Sequence, residues 1–169
     1  TIWVHDYQLL LLPALIRKAQ PDISIGFFLH IPFPSYEMFR LIPWRAQLLE
    51  GVLGSDLIGF HTYDDVRHFI NTATRILPVN SSANIITADD RTIVAEAFPI
   101  GIDDKKYSSL PDDPEVQKNI KLIQANFGNT KLILSIDRLD YSKGIIQRLH
   151  AFEYLLNHYP EAKGKLTFY

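Results

Sequence analysis

Residues 132–156, LILSIDRLDYSKGIIQRLHAFEYLL, decide how the chain folds. Leu132 to Ile136 is apolar apart from one serine, which predicts a buried strand. Asp137 to Gly144 is too polar and turn-prone to continue it and predicts a loop. Beyond Gly144, the residues Ile145, Leu149, Phe152 and Leu156 recur at helical spacing and predict an inward helix face. A strand passing through a short loop into a helix is the repeating unit of an α/β fold with a parallel sheet.

The same unit recurs on either side. Ile2 to Val4 predicts a strand that leads through Asp6 into a helix with Pro13 in its first turn and Leu12, Leu15, Ile16 and Ala19 inward. Ile23 to Leu29 predicts the next strand, ended by His30 and the Ile31-Pro32-Phe33-Pro34 loop, which no regular element accommodates. A helical stretch around 42–53 and a strand over Leu57 to Phe60 follow. Thr62 and Asp65 have capping-box spacing before a helix that buries Val66, Phe69, Ile70, Ala73 and Leu77. Ile85 to Ala88 and Thr92 to Phe98 predict short strands around an Asp89-Asp90 turn. Residues 103–113 are polar and turn-rich, the best candidate for a linker between domains. Asp113-Pro114-Glu115 then reads as cap, first-turn proline and first-turn acid of a helix that Gly128 ends.

Composition narrows the functional classes. Nearly half of the 169 residues are hydrophobic, enough for a packed core. A net charge of -2 with interspersed signs gives no electrostatic grip on nucleic acid or a membrane surface. Cysteine is absent, which excludes disulfides and thiolate metal sites and fits a reducing, cytoplasmic setting. The chain opens in a strand-like run, Thr1 to Val4, and closes in another, Lys165 to Tyr169, so it is expected to be an internal excerpt of a longer enzyme.

Chemistry in open α/β sheets gathers at the strand-to-helix turns. Within Asp137 to Gly144, Arg138 and Lys143 sit where a helix begins and backbone N–H groups are free, a pattern suited to a diphosphate. Pairing of both cations with Asp137 and Asp140 is the plainer alternative. Asp6, at a strand's carboxyl end, reads either as a helix cap or as a carboxylate that holds a sugar hydroxyl. His30, at the next strand's exit, reads either as a ligand contact or as a side chain tied to a backbone carbonyl. His61 and His68 lack a third partner at metal-site spacing, so no metal is expected; Trp44 and Arg45 read either as a contact to a sugar ring or a neighbouring domain or, as expected for Trp44, as packing.

Taken in order, His5-Asp6-Tyr7, Gly26 to Pro34, Asp56 to Thr62, Phe98 to Ile102 and Asp137 to Gly144 resemble the trehalose-6-phosphate synthases, a family of retaining glycosyltransferases. The resemblance spans essentially the whole chain. It implies a GT-B architecture of two Rossmann-like domains, with residues 1–112 the later part of the acceptor-side domain and 113–169 a bridging helix and the start of the nucleotide-side domain. It implies transfer of glucose from UDP-glucose to glucose 6-phosphate, with no cofactor and no metal. Asp6 would contact glucose 6-phosphate, His30 the donor sugar, and Arg138 and Lys143 the UDP-glucose diphosphate. The resemblance also implies that the rest of the site lies outside these residues, so the piece alone is expected to be inactive. A homo-oligomeric parent is compatible with it. A related glucosyltransferase with another acceptor, such as a glucosylglycerol-phosphate synthase, and a non-catalytic regulatory paralogue are the competing readings.

Overall fold

The computed structural model describes residues 1–88 and 90–169. The chain divides into two compact units, Thr1–Ile102 and Asp103–Tyr169. The division falls at the start of the segment expected as a linker, ten residues before the 112/113 boundary read from the sequence.

The first unit runs β1 (Ile2–His5), α1 (Leu12–Ala19), β2 (Ile25–Phe28), α2 (Tyr36–Phe39), α3 (Arg45–Val52), β3 (Leu57–Phe60), α4 (Tyr63–Ile76), β4 (Asn80–Ser82), β5 (Ile85–Ala88) and β6 (Arg91–Ala97). Its sheet has six strands in the order β1-β2-β3-β6-β5-β4. The first four positions pair in parallel, while β5 and β4 add antiparallel at one edge. The sheet is therefore mixed, where alternation of strand and helix alone predicts a parallel one. Asp89, half of the expected Asp89-Asp90 turn, lies outside the described residues.

β2 reads Ile25-Gly26-Phe27-Phe28 and is buried along most of its length, as a central parallel strand covered on both faces must be. Phe27, Phe60, Phe69, Ile58, Ile86 and Ile93 form the innermost layer. Each such side chain removed from water contributes about 1.5–3 kcal/mol. Phe33 joins this core from the proline-containing loop, its ring 5.0 Å from Phe39 and 5.3 Å from Phe69. Asp65 fastens the same loop: one carboxylate oxygen accepts the Phe33 N–H at 2.9 Å and the other the Thr62 hydroxyl at 2.6 Å. The Thr62 hydroxyl oxygen in turn accepts the Asp65 N–H and caps α4. The capping pair thus also anchors the segment leaving β2.

At the amino ends of the strands, Asp56 accepts both Arg17 (2.7 and 2.8 Å) and Arg91 (3.0 Å), together with the Ile25 N–H at 2.8 Å. Partial burial pushes the Asp56 carboxyl up, but the Ile25 N–H and the two guanidinium groups outweigh it and hold the group below the usual carboxylate range. This clamp ties α1, β2, β3 and β6 at one end and leaves the opposite, carboxyl edge free for chemistry.

Three packing expectations are corrected. Leu15 points outward at 61 % exposure and Ala19 is exposed, because α1 turns Pro13, with Leu12 and Ile16, toward the core instead. Trp44 is exposed rather than packed. Asp103 to Asp112 is not an irregular linker but a helix, α5 (Asp104–Ser109), followed by a 3-10 turn, Leu110–Asp112. The Asp103 carboxylate caps α5 through the Lys106 N–H at 3.0 Å, a local gain that polar composition does not exclude.

The second unit continues with α6 (Pro114–Phe127), β7 (Lys131–Ile133), α7 (Ile145–His158) and β8 (Leu166–Phe168). Asp113 caps α6 through the Glu115 and Val116 N–H groups, and Gly128 ends it at φ 58°, as the sequence predicts. β7 and β8 pair in parallel as a two-stranded sheet. The expected buried strand Leu132 to Ile136 is shorter and uncovered, with Ile136 at 76 % exposure, because two strands give no second face to bury it. For the same reason α7 leaves Leu149 half exposed and Ile145, Phe152 and Leu156 only partly buried. Among the described residues no helix is long and apolar enough to cross a membrane.

Candidate active site

In the first unit, parallel β1, β2 and β3 end side by side, and each is followed within two residues by a chemically equipped residue. The register sets His5 opposite Phe28 and Phe28 opposite Gly59. His5 closes β1, Asp6 follows it, His30 lies just past β2 and His61 just past β3.

Asp6 is not the helix cap that its spacing allows. Its backbone sits at φ 70° and ψ 170°, and its side chain makes no capping hydrogen bond. This region of backbone space suits glycine and costs another residue on the order of 1–3 kcal/mol. The surroundings hold the strain: the Asp6 N–H donates to the Phe28 carbonyl at 2.8 Å, continuing the β1–β2 ladder. Its Oδ1 accepts the His30 N–H at 3.3 Å. The carboxylate therefore faces the next strand's exit rather than the turn Tyr7–Leu9.

His30 is not tied to a backbone carbonyl. Its Nε2 lies 2.9 Å from His5 Nδ1. The Phe28 ring lies 4.8 Å from His30 and 5.0 Å from His61, and the His30 and His61 rings are 5.9 Å apart. Buried His61 Nδ1 has no hydrogen-bond partner among the described residues. These imidazoles do not converge as a metal-ligand set. His68 is structural, its Nδ1 3.3 Å from the Phe33 carbonyl oxygen. Sequence reasoning singles out Asp6 and His30 but misses His5 and the placement of His61. The available signal is that His5, His30 and His61 each close or follow an apolar run.

In the second unit, the loop after β7 carries the basic pair. Asp137 binds Arg148 at 2.8 Å, and Arg148 also donates to the Lys143 carbonyl at 3.1 Å. Asp140 accepts the Ser142 N–H at 2.9 Å and caps the turn Tyr141–Lys143. That N–H, then the Ser142 hydroxyl, then the nearby Arg138 and Lys143 charges hold the Asp140 carboxyl below its usual range. Asp137 is paired with Arg148, Asp140 is bonded to the Ser142 N–H, and Arg138 and Lys143, though near enough to bias Asp140, are exposed with no ion pair among the described residues. Gly144, at φ 62° and ψ 33°, makes the left-handed step into α7, whose amino end has no side-chain cap. Free N–H groups and the positive end of a 14-residue helix therefore adjoin two uncommitted cations, an arrangement suited to a phosphate-bearing ligand.

Comparison with known proteins identifies the lineage of this scaffold. An alpha,alpha-trehalose-phosphate synthase [UDP-forming] of Pichia angusta is 50% identical over 98% of the chain, and the chain covers 36% of that protein. A synthase of the same name, with the suffix A, from Dictyostelium discoideum is 48% identical over 98% of the chain and 23% of its own length. The crystal structure of a Burkholderia xenovorans alpha,alpha-trehalose-phosphate synthase in complex with glucose-6-phosphate superposes with a TM-score of 0.84 at 37% identity, covering 99% of this chain and 38% of that one. An E. coli structure bound with UDP-2-fluoro glucose gives 0.81 at 38% identity, covering 99% and 37%. The chain thus has the α/β fold of the GT-B trehalose-phosphate synthases and spans less than two fifths of the length of each of these relatives. Across residues 1–169 it matches glycosyltransferase family 20, and it belongs to that family.

Proposed function

We propose that the complete protein carrying this chain transfers glucose from UDP-glucose to glucose 6-phosphate, giving α,α-trehalose 6-phosphate and UDP. The observation that carries this reading is the loop 137–144, where Arg138 and Lys143 stand uncommitted beside the uncapped start of α7. A diphosphate leaving group gains negative charge as the anomeric bond breaks. Fixed cations and helix N–H groups stabilise that charge without a metal, removal of one such donor typically costing about 10²–10³ in rate.

In the first unit, Asp6 binds the acceptor. Its Oδ1 is engaged by the His30 N–H, and Oδ2 accepts a hydroxyl of glucose 6-phosphate. A charge-assisted bond of this kind contributes about 1.5–3 kcal/mol. His30 contacts the donor sugar. The acceptor oxygen bonds to the anomeric carbon on the face that the phosphate leaves, and its proton passes to a leaving phosphate oxygen, so the configuration is retained. We assign the unit Thr1–Ile102 to the acceptor side and Asp103–Tyr169 to the nucleotide side. We place the activity in the cytoplasm on the cysteine-free composition.

The test is UDP release by the complete protein with UDP-glucose and a panel of acceptors. Release that requires glucose 6-phosphate, with trehalose 6-phosphate as product, is the expected result. Release with a different acceptor alone would transfer the assignment to a related glucosyltransferase. No release from a folded protein that still binds UDP would overturn catalysis altogether.

A further inference from the structure

We propose that His5 is a positioning residue for His30. It holds the His30 ring through Nε2, so that Nδ1 is the ring nitrogen His30 offers a ligand. The inference rests on the proposed reaction for its substrate and on the geometry of β1 and β2 for everything else.

Three contacts join the end of β1 to the exit of β2. The Asp6 N–H meets the Phe28 carbonyl, the Asp6 carboxylate meets the His30 N–H, and the His5 ring meets the His30 ring. The first holds the backbone of Phe28 and the second that of His30. Only the third acts on its side chain. The two imidazole planes are 23° apart with centroids separated by 5.2 Å. That separation is the 2.9 Å nitrogen–nitrogen distance lengthened by a ring radius at each end, so the rings meet edge to edge nearly in one plane. This is hydrogen-bond geometry rather than face stacking.

A neutral imidazole carries one donor and one acceptor nitrogen. A bond between His5 Nδ1 and His30 Nε2 therefore places a single proton between them and couples the two tautomers: when His5 donates, Nδ1 of His30 is a donor, and when His30 donates, Nδ1 is an acceptor. Phe28 and His61 border the His30 ring from other sides, so the rotamer is constrained on more than one side. Both His5 and His30 are solvent-exposed, and their bond adds little to the core. Its effect is on orientation, and a misplaced contact group is felt in the rate.

The discriminating substitutions are His5→Asn and His5→Gln in the complete protein. Asparagine sets an amide atom the same number of bonds from Cβ as Nδ1 and can still meet His30 Nε2. Glutamine sets its amide one bond farther out, where Nε2 was. His5→Asn is expected to keep kcat/KM for UDP-glucose within about threefold of wild type, while His5→Gln lowers it roughly tenfold. The KM for glucose 6-phosphate should stay within about twofold in both, since neither removes the acceptor carboxylate.

Independently, 15N spectra of histidine-labelled protein should show His30 Nε2 hydrogen-bonded in wild type and His5→Asn, and its signal shifted on loss of that bond in His5→Gln. Equal loss in both variants, no loss in either, or an unchanged His30 signal in His5→Gln would overturn the proposal. Wild type that releases no UDP with any acceptor would overturn the proposed reaction instead, and the 15N spectra would still decide the role of His5.

Discussion

Asp6 offers a test in which stability and activity separate. Its backbone lies at φ 70° and ψ 170°, where a Cβ is a liability and glycine is at ease. Asp6→Ala keeps the strain and loses the 3.3 Å bond to the His30 N–H, a long contact worth about 0.5–1 kcal/mol. Asp6→Gly loses the same bond but relieves strain of about 1–3 kcal/mol, against roughly 0.5–1 kcal/mol of extra unfolded-chain entropy for glycine. The glycine variant should therefore be about 1 kcal/mol more stable than the alanine variant and close to wild type. Thermal unfolding of the three complete proteins side by side measures the order. Both variants should nevertheless lose acceptor-dependent transfer by roughly 10- to 100-fold, because the carboxylate is gone. An Asp6→Gly protein that melts below Asp6→Ala would show that no strain is stored there. Near-normal transfer by either variant would refute the acceptor role.

Two further outcomes follow, one from each unit. Arg138→Ala should lower kcat/KM for UDP-glucose by on the order of 10²-fold and weaken UDP binding measured by calorimetry, and nearly full activity would remove the diphosphate assignment. Asp56→Asn should cost about 1–2 kcal/mol at neutral pH, a figure discounted because the Asp56 side chain is 44% exposed. The folded-state pKa of Asp56 lies below its unfolded value, so its contribution is present above the unfolded carboxylate range and lost as pH falls through the folded value. The stability gap between wild type and Asp56→Asn, followed by urea midpoints from neutral to acid pH, should accordingly narrow below about pH 4. A gap that widened in acid would contradict the ion-pair account.

Much of the fold is legible in the sequence where a local signal and the tertiary result coincide. Leu57 to Phe60 is a strand in both, and the Thr62–Asp65 and Asp113–Pro114 starts predict α4 and α6 because their caps are satisfied within a few residues. The signal fails where a neighbour decides. Leu15 fits the apolar spacing of α1, yet the helix is rotated by its Pro13 face and by the Arg17 bonds to the Gly54 carbonyl and Asp56. Leu132 to Ile136 has the composition of a buried strand, but burial requires a second layer, and a two-stranded sheet supplies none. The antiparallel pairing of β5 with β6 follows from the short connection expected at Asp89-Asp90, which is too short for a parallel crossover, whereas β4, Asn80–Ser82, carries no apolar run to mark it as a strand.

The same distinction explains what is legible of the site. Arg138 and Lys143 stand out because charge, glycine and helix start are consecutive in the chain. Their availability does not, since it depends on Arg148 reaching back to engage Asp137. Asp6 looks like a cap because caps are judged from the residues after it, whereas its partner, His30, is 24 residues away. His5 is harder still: it closes an apolar run beside Asp6, but nothing near it in sequence points to His30 as its partner. Parallel pairing sets His5 opposite Phe28, two residues short of His30, and a ring at the end of one strand then reaches the ring leaving the next. In a parallel sheet every strand ends on the same edge, so residues that follow strands are neighbours however far apart they are in sequence. That is why this edge can assemble a carboxylate and three imidazoles from separate motifs. The motif positions are read from the chain, but their contacts follow only once the strand order and register are known.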